Sequence, residues 1–312
     1  MKTLLPLKEE QILEGWDNDS PCLVSIICIA YNHADFISDA INSFLAQKCQ
    51  YKYEIIIHDD ASNDGSQDII LNFQKKYPKI IKSILQKENQ YSKGIKPFDI
   101  LLQKAKGKYI AVCEGDDFWC DPFKIQKQVD FLEQNPDYIV SAHNACIVNE
   151  KNEIIKESRL YENQKRDFTQ IELITNNCFI LTLTWVFRNI NFNDLNEKSH
   201  VLNEDTFFTS VLGLYGKAKY HDDIIPAAYR IHSGGVWSSI DEEKKLDALV
   251  NTNFWLYIYH KRIKSGWESY YKKQHLKLTL SLFTRKKGNK RVLFLILFKA
   301  MINKIKNRMI KS

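Results

Sequence analysis

LVSIICIAYNHADFISDAINSFLAQKCQYKYEIIIHDDASNDGS, residues 23–66, decides the fold of this chain. Its first eight residues, 23–30, are a short and nearly continuous apolar run, the composition of a parallel strand buried on both faces. The period then changes, because Ile37, Ala40, Ile41, Phe44 and Leu45 recur at helical spacing within 34–47. Residues 53–58 return to a β-branched run that ends abruptly at Asp59-Asp60. Asp64, with Gln67 three residues on, is expected to cap a helix carrying Ile69, Ile70 and Phe73 as far as Tyr77, where Pro78 stops it.

The alternation continues outward from this stretch. A third strand is expected at 79–85, a helix at 98–105 and a fourth strand at 109–113. Asp121-Pro122 supplies a cap and a first-turn proline for a helix with Ile125, Val129 and Leu132 on its buried face, ended by Asn135-Pro136. Further strands are expected at 138–142 and 179–187. Strands and helices alternating at these lengths predict an open, mostly parallel sheet with helices on both faces, which binds ligands at the carboxyl ends of its strands. From residue 241 the pattern becomes long, basic and amphipathic helix, so a boundary is expected near residue 240.

Composition sets the broad class. A chain of 312 residues with 44% hydrophobic and 26% charged residues can bury a sizeable core, which argues against disorder. Seven cysteines, at positions 22, 28, 49, 113, 120, 146 and 178, form no CxxC pair, and several lie in apolar runs, as free core thiols of a reducing compartment would. Residues 1–19 lack the order of a secretion signal, and no apolar stretch approaches the roughly 20 residues that span a bilayer. A cytoplasmic location is expected, peripheral to the inner face of the plasma membrane. The net charge of +6 is uneven, since residues 281–312 hold ten Lys or Arg and no acid. Such a block favours an anionic surface, and with the apolar cluster at 292–298 it suits a helix lying in a membrane interface or packing on protein. Nucleic acid is not the expected partner; a second copy of the chain is an open one.

Two acidic groups sit at predicted strand ends. Asp59-Asp60, in HDDASNDGS, can accept hydrogen bonds from a base N–H or a ribose hydroxyl, although the same residues also make an ordinary strand exit and helix cap. Glu114-Gly115-Asp116-Asp117 follows the apolar strand YIAVC, and carboxylates this close repel one another unless a cation offsets them. A hard divalent ion shared between carboxylates and a diphosphate would do so. Asn203-Glu204-Asp205 opens an apolar helical run, where acids suit the helix dipole and one of them can serve as a general base. In YRIHSGGVW, 229–237, His232 is a candidate metal ligand and Arg230 a candidate phosphate clamp, or both belong to an ordinary surface loop.

Taken together, LVSIICIAYN, YEIIIHDDASNDGS, AKGKYIAVCEGDDFWCDPFKIQKQVDFLEQNPDY and YRIHSGGVWS resemble, in order and spacing, the motifs of family 2 glycosyltransferases over residues 22–240. The resemblance implies an α/β fold of the GT-A type, with a Rossmann-like open sheet in residues 1–240 and a C-terminal helical extension in 241–312. It implies inverting transfer from a nucleotide-sugar donor, a UDP-sugar by expectation, to a glycan or lipid-linked glycan, with Mn²⁺ or Mg²⁺. It places Ala30, Tyr31, Asn32, Asp59, Asp60, Asp116 and Arg230 at the donor nucleotide. Asp116, Asp117 and His232 would hold the metal, with Asp117 the direct ligand. Asp205, with Glu204 as its substitute, would be the base, and Trp119 and Trp237 would meet the acceptor. Glu114 departs from the pattern by standing where many members carry the first Asp.

The absence of GxGxxG and GxxxxGK[ST] argues against dinucleotide-binding oxidoreductases and P-loop enzymes. A Mg²⁺-dependent phosphoacceptor module would leave Asp116-Asp117 and the YRIH segment unexplained. A non-catalytic polysaccharide-assembly protein of the same fold is separated from an enzyme only by turnover.

Overall fold

The computed structural model describes the whole chain except residues 18–19, 193, 235–240 and 286–312. Trp237 and the basic, apolar segment 292–310 therefore lie outside the described residues. The chain divides into two compact units, one of residues 1–199 and 205–239, the other of 200–204 and 240–312.

The first unit begins with α1 (Glu9–Glu14), β1 (Val24–Ala30), α2 (Ile37–Leu45), β2 (Tyr53–Asp59), α3 (Ser66–Lys76) and β3 (Ile81–Leu85). It continues with α4 (Pro97–Lys104), β4 (Tyr109–Val112), α5 (Lys124–Gln134), β5 (Tyr138–His143), β6 (Ala145–Val148) and β7 (Ile154–Lys156). Then come α6 (Gln170–Ile174), β8 (Val186–Arg188), α7 (Glu204–Gly213), β9 (Lys217–His221) and β10 (Ala227–Arg230). Seven strands form one sheet in the order β3-β2-β1-β4-β8-β5-β9, and β10-β6-β7 form a second. The large sheet is parallel except for β8, which runs antiparallel to both β4 and β5.

The unbroken apolar runs now have their reason. Along β1 and β2, Ile26, Cys28, Ile55 and Ile57 pack on one face against Ile41 and Phe44, while Ile27 and Ile56 pack on the other with Leu101 and Ile110. Neither face meets water, so alternation with polar residues has no use here. Each of these fully buried isoleucines contributes roughly 1.5–3 kcal/mol, enough in sum to fix the register of the central strands.

Three local expectations are corrected. Asp64 does not cap α3, whose N-cap is Gly65 at φ 101; its Oδ1 instead accepts from the Ser66 amide, and Gln67 donates to Asp59 Oδ1 rather than completing a capping box. The helix after Pro122 starts only at Lys124, because Asp121 turns its carboxylate to Phe123 N, Lys127 Nζ and Ile225 N. The strand expected at 179–187 is reduced to Val186–Arg188, since 182–184 closes a 3₁₀ turn in which the Thr184 hydroxyl donates to Leu181 O.

The second unit is a helical hairpin, α8 (Glu242–Arg262) and α9 (Glu268–Arg285). Asp241 Oδ1 accepts from Lys244 N at 2.8 Å and caps α8, and Lys264 and Gly266 take left-handed backbone in the turn. His260 stacks on Tyr271 at 4.9 Å between ring centroids. Among the described residues no helix is long and apolar enough to cross a membrane.

Candidate active site

The carboxyl ends of β1, β2 and β4 meet in one place, and the turns that follow them are tied together by hydrogen bonds. The 59–66 turn holds the 32–34 turn at four points: Asn32 N donates to Ser62 Oγ, Asn63 N to Asn32 Oδ1, His33 N to Ser66 Oγ and Ala34 N to Asp64 Oδ2, all within 2.8–3.0 Å. Asn32 has φ 55, a left-handed conformation that asparagine tolerates better than most residues, and it reverses the chain after β1. Tyr31 is left 48% exposed at this edge, while Ala30 is buried and its carbonyl accepts from Asp60 N.

Asp59 and Asp60 are both buried. Asp59 accepts from Ser62 N, Ser62 Oγ and Gln67 Nε2. Asp60 accepts from Gln90 N at 2.7 Å through one oxygen and from Tyr91 N at 3.0 Å through the other, and so fastens the loop after β3. At 0% and 2% exposure, both side chains bond to the loops around them.

The other acidic group behaves differently. His33, Asp116 and His232 each present a ligand atom, and the three lie within 4.8 Å of one another. His232 Nε2 is 3.0 Å from Asp116 Oδ2, and His33 Nε2 is 3.8 Å from the same oxygen, beyond hydrogen-bond reach. Gly115 makes this approach feasible, since a Cβ there would meet Ile37 Cδ1 at 2.8 Å and His33 Nδ1 at 3.0 Å. Burial works to raise the Asp116 pKa, but the His232 hydrogen bond and His33 hold it below the usual carboxylate value. Burial lowers that of His33 against the pull of Asp116.

Glu114 is pushed up to about 8, by burial first and then by the charges of Asp205 and Asp116. Asp117 is raised well above its ordinary value by burial and by Asp116 and Glu114. Its Oδ1 accepts from Arg230 N at 2.8 Å, and the group of three facing donors holds Asp116 in place of the expected Asp117. Two imidazoles and a carboxylate form a mixed donor set that suits Mn²⁺ better than oxygen-seeking Mg²⁺.

Asp205, on the first turn of α7, is exposed at the surface and accepts a hydrogen bond from Thr182; partial desolvation by the surrounding protein raises its pKa despite Thr182 and the Lys198 charge. Glu204 is the first residue of α7 and groups with the second unit, whereas Asp205 groups with the first.

Two further assignments are corrected. Trp119 cannot meet an acceptor, being 0% exposed with its indole N–H on Leu183 O at 2.8 Å. Arg230 is no phosphate clamp: its side chain is fully buried, donating to Asp116 O, Asp39 Oδ2 and Asn152 Oδ1. His33 is a candidate ligand that the sequence reading did not name. The one signal for it was its place in the turn that the DDASNDGS segment closes upon.

The model of glycosyl transferase family 2 matches residues 25–193 of this chain. An uncharacterized protein of Mycobacterium tuberculosis is 32% identical over 225 residues, covering 71% of this chain and 62% of its own. The chain thus spans about three-fifths of the length of the first curated relatives it matches. An Escherichia coli enzyme, UDP-Glc:alpha-D-GlcNAc-diphosphoundecaprenol beta-1,3-glucosyltransferase WfaP, is 41% identical over 113 residues, 36% of this chain and 41% of its own. Among solved structures, S. aureus TarS 1-349 in complex with UDP-GlcNAc superposes with a TM-score of 0.60 at 17% identity, covering 86% of this chain and 77% of that one, and so shares the fold.

Proposed function

Because the chain belongs to glycosyl transferase family 2, we propose that it moves a sugar, with inversion, from a UDP-sugar to a hydroxyl of a glycan or lipid-linked glycan. The observation that carries this reading is the convergence of His33, Asp116 and His232 at the exit of β4, in the same fold unit as Asp205 on the first turn of α7. A divalent cation held by these three residues, Mn²⁺ by the donor set, would neutralise the diphosphate as it leaves. Tyr31 offers an exposed ring at the β1 exit for the base, and the loop fastened by Asp60 borders it. Asp205 takes the proton of the acceptor hydroxyl while that oxygen bonds to the anomeric carbon and the bond to UDP breaks. A carboxyl whose pKa is raised is the stronger base for that step.

The UDP assignment is supported by the UDP-Glc in the name of the E. coli relative and the UDP-GlcNAc in the TarS complex. The lipid-linked acceptor is supported by the same relative's diphosphoundecaprenol substrate and by the basic run at 281–312. Titration with UDP, GDP and dTDP, with and without Mn²⁺, tests the donor: UDP binds tightest and Mn²⁺ strengthens it. Metal-independent binding, or preference for another nucleotide, overturns the assignment. Asp205→Asn tests the base. It keeps UDP affinity and lowers the transfer rate by roughly 10²-fold or more; an unchanged rate removes Asp205 from the mechanism.

A further inference from the structure

We propose that Asp39 and Asn152 are positioning residues for the metal centre, holding through Arg230 the chain segment that carries His232. The inference rests on the assignment of His33, Asp116 and His232 as metal ligands. Neither residue offers a ligand atom itself. Asp39 lies on the first turn of α2, six residues after His33, and Asn152 in the turn between β6 and β7, so both are remote in sequence from Asp116 and His232.

His232 stands two residues past the end of β10, where a sheet no longer fixes the backbone. Its place is set by Arg230. The Arg230 amide donates to Asp117 Oδ1 at 2.8 Å and its Nη1 to Asp116 O at 2.5 Å, which ties the His232 segment to the one bearing Asp116. Its Nη2 donates to Asp39 Oδ2 at 2.8 Å and to Asn152 Oδ1 at 2.6 Å, and Asn152 Nδ2 donates in turn to Asp39 Oδ2 at 3.1 Å, closing a triangle. A guanidinium buried this deeply needs a counter-charge, and Asp39 supplies it. Phe36 packs against both partners, 4.5 Å from the Arg230 guanidinium and 4.8 Å from the His232 ring. The 149–153 turn holds the segment a second time, since Glu150 Oε1 accepts from Ser233 N at 3.3 Å.

The metal ligands are therefore assembled before any nucleotide arrives, and the cation binds with an affinity that Asp39 and Asn152 set. Outer groups that orient ligands typically contribute about 10–100-fold in metal affinity. The test is titration of nucleotide-free, full-length protein with Mn²⁺, read by the paramagnetic resonance signal of the free ion. Asp39→Asn keeps the shape and removes the charge. Asn152→Gly keeps the left-handed backbone at φ 62 and removes the amide.

Each variant is expected to weaken Mn²⁺ binding by about tenfold or more, while UDP binding in EDTA stays at the wild-type value. Wild-type Mn²⁺ affinity in Asn152→Gly and Asp39→Asn overturns the proposal, as does a parallel loss of metal-free UDP binding, which marks general disruption. Asp116→Ala is the control that separates the two levels: if it binds Mn²⁺ like the wild type, the metal-site assignment itself falls. Should Asp39→Asn fail to fold, Asn152→Gly, altered in a turn, decides alone.

Discussion

At the exit of β2, all four carboxylate oxygens of Asp59 and Asp60 accept a hydrogen bond from the protein, whereas at the exit of β4 the acids Glu114, Asp116 and Asp117 face one another and two imidazoles. Both places read as an acidic pair after an apolar strand. At the first, backbone and side-chain dipoles satisfy the buried charge, and the pair becomes part of the frame. At the second, burial and mutual repulsion push Glu114 up to about 8, and only Asp116 is held low by its histidines. The difference teaches that a pair of acids points to a metal only where the protein leaves their charge unanswered.

The largest effects are expected from changing neighbouring aspartates at the β4 exit. Asp116→Asn removes the negative charge of the proposed ligand and is expected to lower transfer by roughly 10²–10³-fold or more, with Mn²⁺ binding lost. Asp117→Asn keeps an oxygen that can accept from Arg230 N, so Mn²⁺ binding persists. Both are read by Mn²⁺ titration and by release of UDP. Equal losses of Mn²⁺ binding in the two variants would return Asp117 to the ligand set.

A smaller effect is expected at the β2 exit. Asp60→Ala removes the acceptor of two backbone N–H groups, which should cost about 2 kcal/mol and loosen the loop around Gln90 and Tyr91. Thermal melting falls and UDP binds more weakly, yet nucleotide-free Mn²⁺ binding stays unchanged, because Asp60 fastens none of the three ligand residues. Loss of metal binding in this variant would mean that the two exits are one site.

How much of this was legible in the sequence depends on how far apart the deciding contacts lie. The strands 23–30 and 53–58 were readable because burial on both faces leaves an unbroken apolar run. The segment after β4 was readable as a cluster of acids, but its spacing does not say which acid faces the histidines. Packing of Gly115 under His33 and Ile37, and the Arg230 amide on Asp117, settle that in space. Arg230 looked like a free cation because its partners Asp39 and Asn152 are far away in the chain. Trp119 looked like a ligand surface because it follows the acids, whereas its indole lies in the core beside Phe44. Asp64 and Asp121 fit cap patterns that more distant donors outcompeted.

The smallest expected effect concerns Lys124, a cation placed behind the acidic exit of β4. Its ammonium is fully buried, has no hydrogen-bond partner among the described residues and lies 4.1 Å from the centre of the Trp119 ring. Burial pushes its pKa down to about 7, against the opposing pull of Cys113 and Asp121. In the unfolded chain the amine keeps its proton up to its ordinary value of 10.5, so above pH 7 the unfolded state binds more protons than the folded one. This residue alone therefore makes the fold more stable as pH rises from 7 toward 9, by about 1 kcal/mol for each pH unit. Lys124→Met fills similar space without a titrating group. Its advantage over the wild type in urea unfolding should be largest near pH 6 and shrink steadily by pH 9. An advantage that stays flat across this range would mean that the ammonium keeps its proton. The β4 exit would then own an internal counter-charge, and its contrast with the β2 exit would fail.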